Sequence, residues 1–411
     1  MLAGPAPDGA APPGWWSRHH PPRPGRATSR GGGSGRGGAG TPRRRSRVTG
    51  VPRAGRPRRG ESGGMTDMTE LYASLFTGFS GATHRVRARQ YVDGLLGVDG
   101  RKTVAHIAAA VGGPEDEQRL RRFVSGGAWR WGPVRRALAQ AVTSRAGEGA
   151  GAWVVGPVSI PKTGDRSVGV TRHWSRERGR VLVGQLAFGA WFTTGGSLVP
   201  VSWRLVRGGD EAGRAAAVAE LVTEVTDWTG GRRPVVVDPG VLPVADPARQ
   251  PWARCPLTVR VRPEVRLAVK RRPVTGSAEV APAAQVFRSA GLRSASDGGV
   301  ATVPAALATG GLGPSTAVGV WPAGHAVGRP EEVWLSDLPA ERPAVLGALV
   351  RLPERVAGGW RTRGAAVGLA DYEGRSLAGW HRHMTLASCA YAVQELAGDR
   401  AQARRPAVCA A

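Results

Sequence analysis

The chain has 411 residues, with 57 Lys and Arg against 31 Asp and Glu and a formal net charge of +26. Such a length has room for roughly two or three domains, and such a charge points to a polyanionic partner, nucleic acid before a membrane surface. Cys255, Cys389 and Cys409 lie far apart without zinc spacing, the first residues lack the apolar core of a signal peptide, and the longest apolar stretch, around Val181–Phe192, is too short for a bilayer.

Lys occurs only at Lys102, Lys162 and Lys270, so the positive charge is almost all Arg. With so much Ala, Gly and Pro, the alternative reading of part of it is the codon bias of a GC-rich genome. Residues 1–64 are rich in Gly, Pro and Arg, and the first sixty hold thirteen Arg and one Asp. Nothing there can bury a core, so disorder is expected. The segment reads either as a basic DNA-binding arm or as upstream sequence ahead of the true start, because Met65 and Met68 stand where globular sequence begins.

Residues 65–149 read as a small all-α domain. HRVRARQYVDGLLG (84–97) puts Tyr91, Val92, Leu95 and Leu96 on one face, with Arg85 and Arg89 one turn apart on another. TVAHIAAAVGG ends in a Gly stop. PEDEQRLRRFVSGG opens with Pro and acids and closes with Arg and Gly, as the helix dipole favours, and GPVRRALAQAVTSRAG supplies the next helix. Short basic helices with tight Gly turns suit DNA binding, and they equally suit a helical cap with a solvated Arg face. The candidate phosphate ligands are Arg85, Arg89, Arg121, Arg122, Arg135, Arg136, Lys162 and Arg382.

From Gly151 the period changes to that of strands. Runs at Ala152–Val155, Ser167–Trp174 and Arg180–Phe192 precede a TTGG turn and the strand SLVPVSWRLV. In the following segment Val218, Leu221, Val222 and Val225 form an i, i+3, i+4, i+7 stripe, so a helix is expected, and RRPVVVD is then a buried strand tipped by Asp238. Strands in hairpins, one helix, then a buried strand ending in an acid is the order of a ribonuclease-H-like core. Further on, PLTVRVRPEVRLAV alternates like a strand pair, Pro273–Gly324 is rich in small residues and reads as loose, and EEVWLSDLP reads as strand and turn. Glu341–Leu396 is mostly helical, with a long last helix from about Gly379. His381 and His383 flank Arg382 at spacing i, i+2 rather than the i, i+4 of a metal pair, so packing or phosphate contact is expected. The Gly-rich stretches lack a phosphate-binding Lys between strand and helix, which argues against nucleotide binding.

RARQYVDGLL (87–96), KTGDRSVGVTRHW (162–174), VVVDPG (235–240) and VGLADYEGRSLAGWHRHMTLASCAYA (367–392) resemble, in order and spacing, the DDE transposases of bacterial insertion sequences. The resemblance covers about residues 85–395 and is poor over 240–340. It implies an α/β, ribonuclease-H-like mixed sheet with flanking helices at 150–396; the strand-like runs at about 240–340 then read as a β-rich insertion, and 397–411 as a tail. It also implies DNA cutting and joining by three carboxylates holding paired divalent metals such as Mg²⁺, whose hardness calls for Asp and Glu oxygens. Carried over position by position, the first Asp falls on Gly156, the acid after it on Pro157, the second Asp on Asp238 and the Glu on Ala357, whose companion Arg and Lys fall on Pro353 and Gly364. The expectation is a cytoplasmic, nucleoid-associated DNA-binding protein with no cofactor, a possible homodimer that has lost cleavage. An active enzyme using other acids and a non-functional relic are the alternatives.

Overall fold

The structure is a computed structural model, and it describes residues 61–208, 211–239, 255–270, 278–290, 299–308, 315–322 and 328–403. The disorder expected for the N-terminal tail lies outside the described residues except at its end, where the first helix already begins at Glu61. The last residues of the expected C-terminal tail, 404–411, also lie outside.

Five helices come first: α1 (Glu61–Leu75), α2 (Ala82–Gly97), α3 (Val104–Val111), α4 (Pro114–Ser125) and α5 (Trp131–Ala146). Their ends follow local chemistry. Thr103 caps α3 by accepting from the His106 amide at 3.2 Å. Pro114 opens α4, with Glu115, Asp116 and Glu117 in the positive first turn. Tyr91, Val92 and Leu95 are buried as the α2 pattern predicts.

The strands β1 (Ala152–Pro161), β2 (Val170–Ser175), β3 (Arg180–Thr193) and β4 (Leu198–Val206) precede α6 (Glu211–Thr229) and β5 (Val235–Val237). β1 is longer than its apolar run, because Gly156-Pro157 continue in register opposite Gly189-Phe188 of β3. β3 pairs antiparallel with β1 along one edge and with β2 and β4 along the other, and β5 runs parallel to β1.

Two expectations for the following segment need correction. β6 (Leu257–Val261) and β7 (Arg266–Lys270) are both strands, but they do not pair with each other. β6 joins β5 in parallel and β11 (Glu332–Ser336) antiparallel, whereas β7 pairs with β8 (Ala278–Pro282) and β9 (Val300–Leu307). Pro273–Gly324 is not loose where described: β8, the single turn α7 (Val286–Ser289), β9 and β10 (Ser315–Val320) lie in it, with Phe287 and Trp321 packed edge to face at 5.3 Å. Small residues there fit strands in close contact; a Cβ on Gly319 would come within 2.8 Å of the Phe287 and Trp321 rings. The described strands form one sheet in the order β2-β3-β1-β5-β6-β11-β10-β9-β7-β8, with β4 beside β3.

Three helices close the chain: α8 (Pro343–Val350), α9 (Leu352–Gly359), which runs on through the wider turn Trp360–Gly364, and α10 (Leu377–Ala403). α10 starts two residues before the expected Gly379. Trp380, Met384, Leu386, Ala387 and Tyr391 along it are all fully buried. α10 touches α1, α2, α4, α5 and β4, so the first five helices and the sheet share one hydrophobic core. The helical segment therefore packs in one unit with the other described residues. Among the described residues no helix is long and apolar enough to cross a membrane.

Candidate functional site

Asp238 directly follows β5, and its amide donates to the Val155 carbonyl at 2.8 Å, extending the parallel pairing by one residue. The next residue of β1 is Gly156. A Cβ built there would lie 3.7 Å from Asp238 Cβ, an ordinary contact with room for a side chain. The first two positions of the expected acid set are thus neighbours on adjacent strands, and one of them has no side chain.

The Asp238 carboxylate is held by arginine. Arg260 of β6 hydrogen-bonds Asp238 Oδ1 and reaches Glu332 Oε1 of β11 at 3.0 Å. Arg176, in the turn after β2, binds Glu332 at 2.6 Å and lies 3.9 Å from Asp238 Oδ2. Trp334 Nε1 donates to Glu332 Oε2 at 3.1 Å, and the Arg260 guanidinium lies 5.9 Å from the centre of the Trp334 ring. Two guanidiniums and two carboxylates balance in charge. Arg260 and Asp238 are largely shielded from water, at 9% and 15% side-chain exposure, so their pairing is charge-assisted in a low dielectric.

This donor set does not fit a paired-metal centre. A hard divalent cation needs several oxygen ligands, and here the two carboxylates, Asp238 and Glu332, are both bound by guanidiniums while Gly156 offers none. Ala357 lies on α9, which packs against β1, and Pro353 sits in the first turn of α9, where its missing donor costs nothing. Of the other acids near these positions, Asp371 Oδ2 accepts from the Lys102 amide at 2.8 Å and Glu373 pairs with Arg101, while Asp165 and Glu354 are exposed. Among the described residues no cluster of three His, Cys, Asp or Glu could hold a metal ion.

The expected phosphate ligands divide into two sets. Arg85, Arg122 and Arg136 are exposed and have no ion pair among the described residues; Arg121 is exposed and pairs with Glu117. Arg89 is half-exposed, paired with Asp93 at 3.4 Å and placed over the Tyr72 ring at 4.7 Å. Three expectations need correction because the side chains serve the interior. Arg135 is 1% exposed and bridges α5, β4 and α10. Arg382 is buried, donating to the Trp129 and Val124 carbonyls at 3.2 Å. The Lys162 ammonium caps the carbonyls of Ala370 at 2.7 Å and Tyr372 at 2.8 Å, and burial lowers its pKa. Of the two readings for His381 and His383, packing is the observed one, since both are buried.

Arg260, Glu332 and Arg176 were not among the sequence candidates. Arg260 did leave a signal, a charge inside the apolar alternation LTVRV, because a charge on a buried strand must find a partner.

Residues 74–228 match the family model described as DDE superfamily endonuclease. The chain is thus similar to the DDE superfamily. The matched stretch includes Gly156 and ends before Asp238 and Ala357. A cryo-EM structure of the piggyBac transposase synaptic complex with hairpin DNA aligns with 82% of this chain and 72% of that chain, at 13% identity and a TM-score of 0.37. A likeness that weak fixes neither the fold nor the chemistry here. No curated protein matches the chain.

Proposed function

We propose that this chain is a DDE-transposase-derived protein that binds DNA without cutting it, on a ribonuclease-H-like core of β1 to β6 and α6. Four strands in antiparallel pairing, β3 with β1, β2 and β4, then a helix and two strands parallel to the first support that core reading. One observation carries the loss of chemistry: Arg260 occupies the Asp238 carboxylate, and the adjacent strand position is Gly156. A guanidinium there supplies positive charge where the superfamily needs cations, but it cannot activate an attacking oxygen. The net charge of +26 and the exposed Arg85, Arg122 and Arg136 support DNA as partner.

Supercoiled DNA incubated with the purified full chain and Mg²⁺ or Mn²⁺ should remain uncut. Nicking that disappears in Asp238→Ala would show that Asp238 works with other acids in an active site and that the proposal is wrong. Duplex binding should weaken steeply with salt, with a log–log slope of roughly −0.9 for each phosphate neutralised. Replacing Arg85, Arg122 and Arg136 together by Ala should flatten that slope by up to roughly 2.7 while leaving the melting temperature in place. A salt-independent affinity would remove DNA as the partner.

A further inference from the structure

The hairpin of β2 and β3 carries a surface that the core does not use. Trp174 and Val181 are directly paired across it, as are Arg172 and Val183. The opposite-facing residues His173 and Leu182 are buried, whereas Trp174, Val181 and Val183 are 56%, 52% and 45% exposed. A sheet face alternating out of the core is ordinarily polar, and a half-exposed tryptophan beside two valines departs from that. The rim is basic: Arg172 lies beside the apolar patch and the tip reads Arg-Glu-Arg-Gly-Arg from Arg176 to Arg180. Arg172, Arg178 and Arg180 are exposed and have no carboxylate partner among the described residues, while Glu177 is within 3.5 Å of Arg361. Arg176, two residues beyond Trp174, reaches Glu332 and Asp238, so the surface adjoins the candidate site.

We propose that this hairpin face is a contact site for single-stranded DNA, in which Trp174 stacks on an exposed base and Arg172 and Arg178 hold the flanking phosphates. Charge complementarity selects the occupant: a second copy paired along the β2 edge would set these unpaired arginines against another +26 chain, whereas a polyanion neutralises them. An aromatic face among basic side chains is the pairing that binds unpaired bases without sequence preference, whereas a base inside a duplex presents no free face. The inference rests on the DNA-binding reading above and adds where, and to which form, the chain binds.

The test uses the full chain and a labelled oligothymidylate of about 20 nucleotides, followed by fluorescence anisotropy across a salt series. Trp174→Ala should weaken binding by roughly 5- to 100-fold with the salt slope unchanged, because stacking is lost and phosphate contacts are kept. Trp174→Phe should recover most of that affinity. Arg172→Ala with Arg178→Ala should flatten the slope by up to roughly 0.7 per lost contact. Melting temperatures of all variants should match the parent, since the side chains are exposed. Equal affinity of Trp174→Ala and parent for the oligonucleotide would overturn the hairpin site even where duplex binding is intact. Trp174→Ala that dissociates a dimer at unchanged DNA affinity would also overturn it, by assigning the face to a second copy. A parent chain that binds neither form of DNA would sink this site together with the broader function.

Discussion

Arg135→Ala should cost the folded chain about 3–5 kcal/mol and should leave the salt dependence of DNA binding unchanged. The side chain is 1% exposed, yet it carries a charge. Its Nε donates to Thr385 Oγ1 at 2.8 Å, Nη1 to the Trp203 carbonyl at 3.0 Å, and Nη2 to the His381 carbonyl at 3.2 Å. Ser202 Oγ lies 3.4 Å from Nη1, which donates to it, and its hydroxyl donates a hydrogen bond to Glu224 at 2.7 Å; Glu224 is in turn bound by Arg204. Burial lowers the Arg135 pKa to about 9, opposed by the Glu224 carboxylate, so the group stays protonated at neutral pH. Truncation removes one donor from each of these buried acceptors, although Arg204 still donates to the Trp203 carbonyl and Thr385 to the His381 carbonyl, and it opens a cavity between α5, β4 and α10; both effects act in the same direction. Arg135→Lys should recover less than half of the loss, because one ammonium cannot reproduce the planar fork. The measurement is the urea midpoint at constant m-value. A loss below about 1 kcal/mol with a shallower salt slope would return Arg135 to the DNA-binding surface.

Arg135 also shows where sequence stops being sufficient. α2 to α6 and the strands β3, β4 and β5 were legible because each has a period of its own and a turn or cap at its ends. Asp238 beside Gly156 was legible only through a resemblance, which aligned positions that no local pattern relates. Arg135 and Arg136 are adjacent arginines on one helix, and nothing local says that the first turns inward to α10 while the second faces water. That choice is made by Thr385 and His381, which lie 250 and 246 residues away. The same holds for Arg382, whose carbonyl partners are supplied by the α4–α5 connection. The expected pairing of β6 with β7 failed for a related reason. Alternation marks each as a strand but does not say which strand it joins, and β6 goes to β5 and β11 while β7 goes to β8 and β9.

Acid should destabilise the chain through two histidines that fold neutral. His383 is buried between Tyr91, whose hydroxyl is 3.0 Å from Nδ1, and the Gly368 carbonyl, 2.8 Å from Nε2. Both ring nitrogens are thus occupied by a neutral ring that accepts at Nδ1 and donates at Nε2. Desolvation lowers its pKa to about 4, and the Asp371 carboxylate offsets this only in part, with Lys162 acting against it. His381, stacked 4.7 Å from Trp131, falls to about 2 through burial and the nearby Arg135 and Arg204 charges. Above pH 6.5 neither state of either ring binds a proton, so these groups give no pH dependence. Between about 6.5 and 4 the unfolded chain takes up protons that the folded chain refuses, so stability must fall as pH falls. Each ring contributes up to about 1.4 kcal/mol per pH unit there, and the pair up to about 2.7. His383 stops contributing near pH 4, when the folded state also protonates, whereas His381 continues to about 2. Urea midpoints taken from pH 8 to pH 5 should be level at first and then drop steeply below about pH 6.5. His383→Gln removes one titrating ring and keeps an amide for the Gly368 carbonyl, so its drop should be about half as steep even where its stability at pH 8 is lower. A parent chain whose midpoint does not change between pH 7 and pH 5 would mean that neither ring is held neutral, and that α10 does not bury them as described.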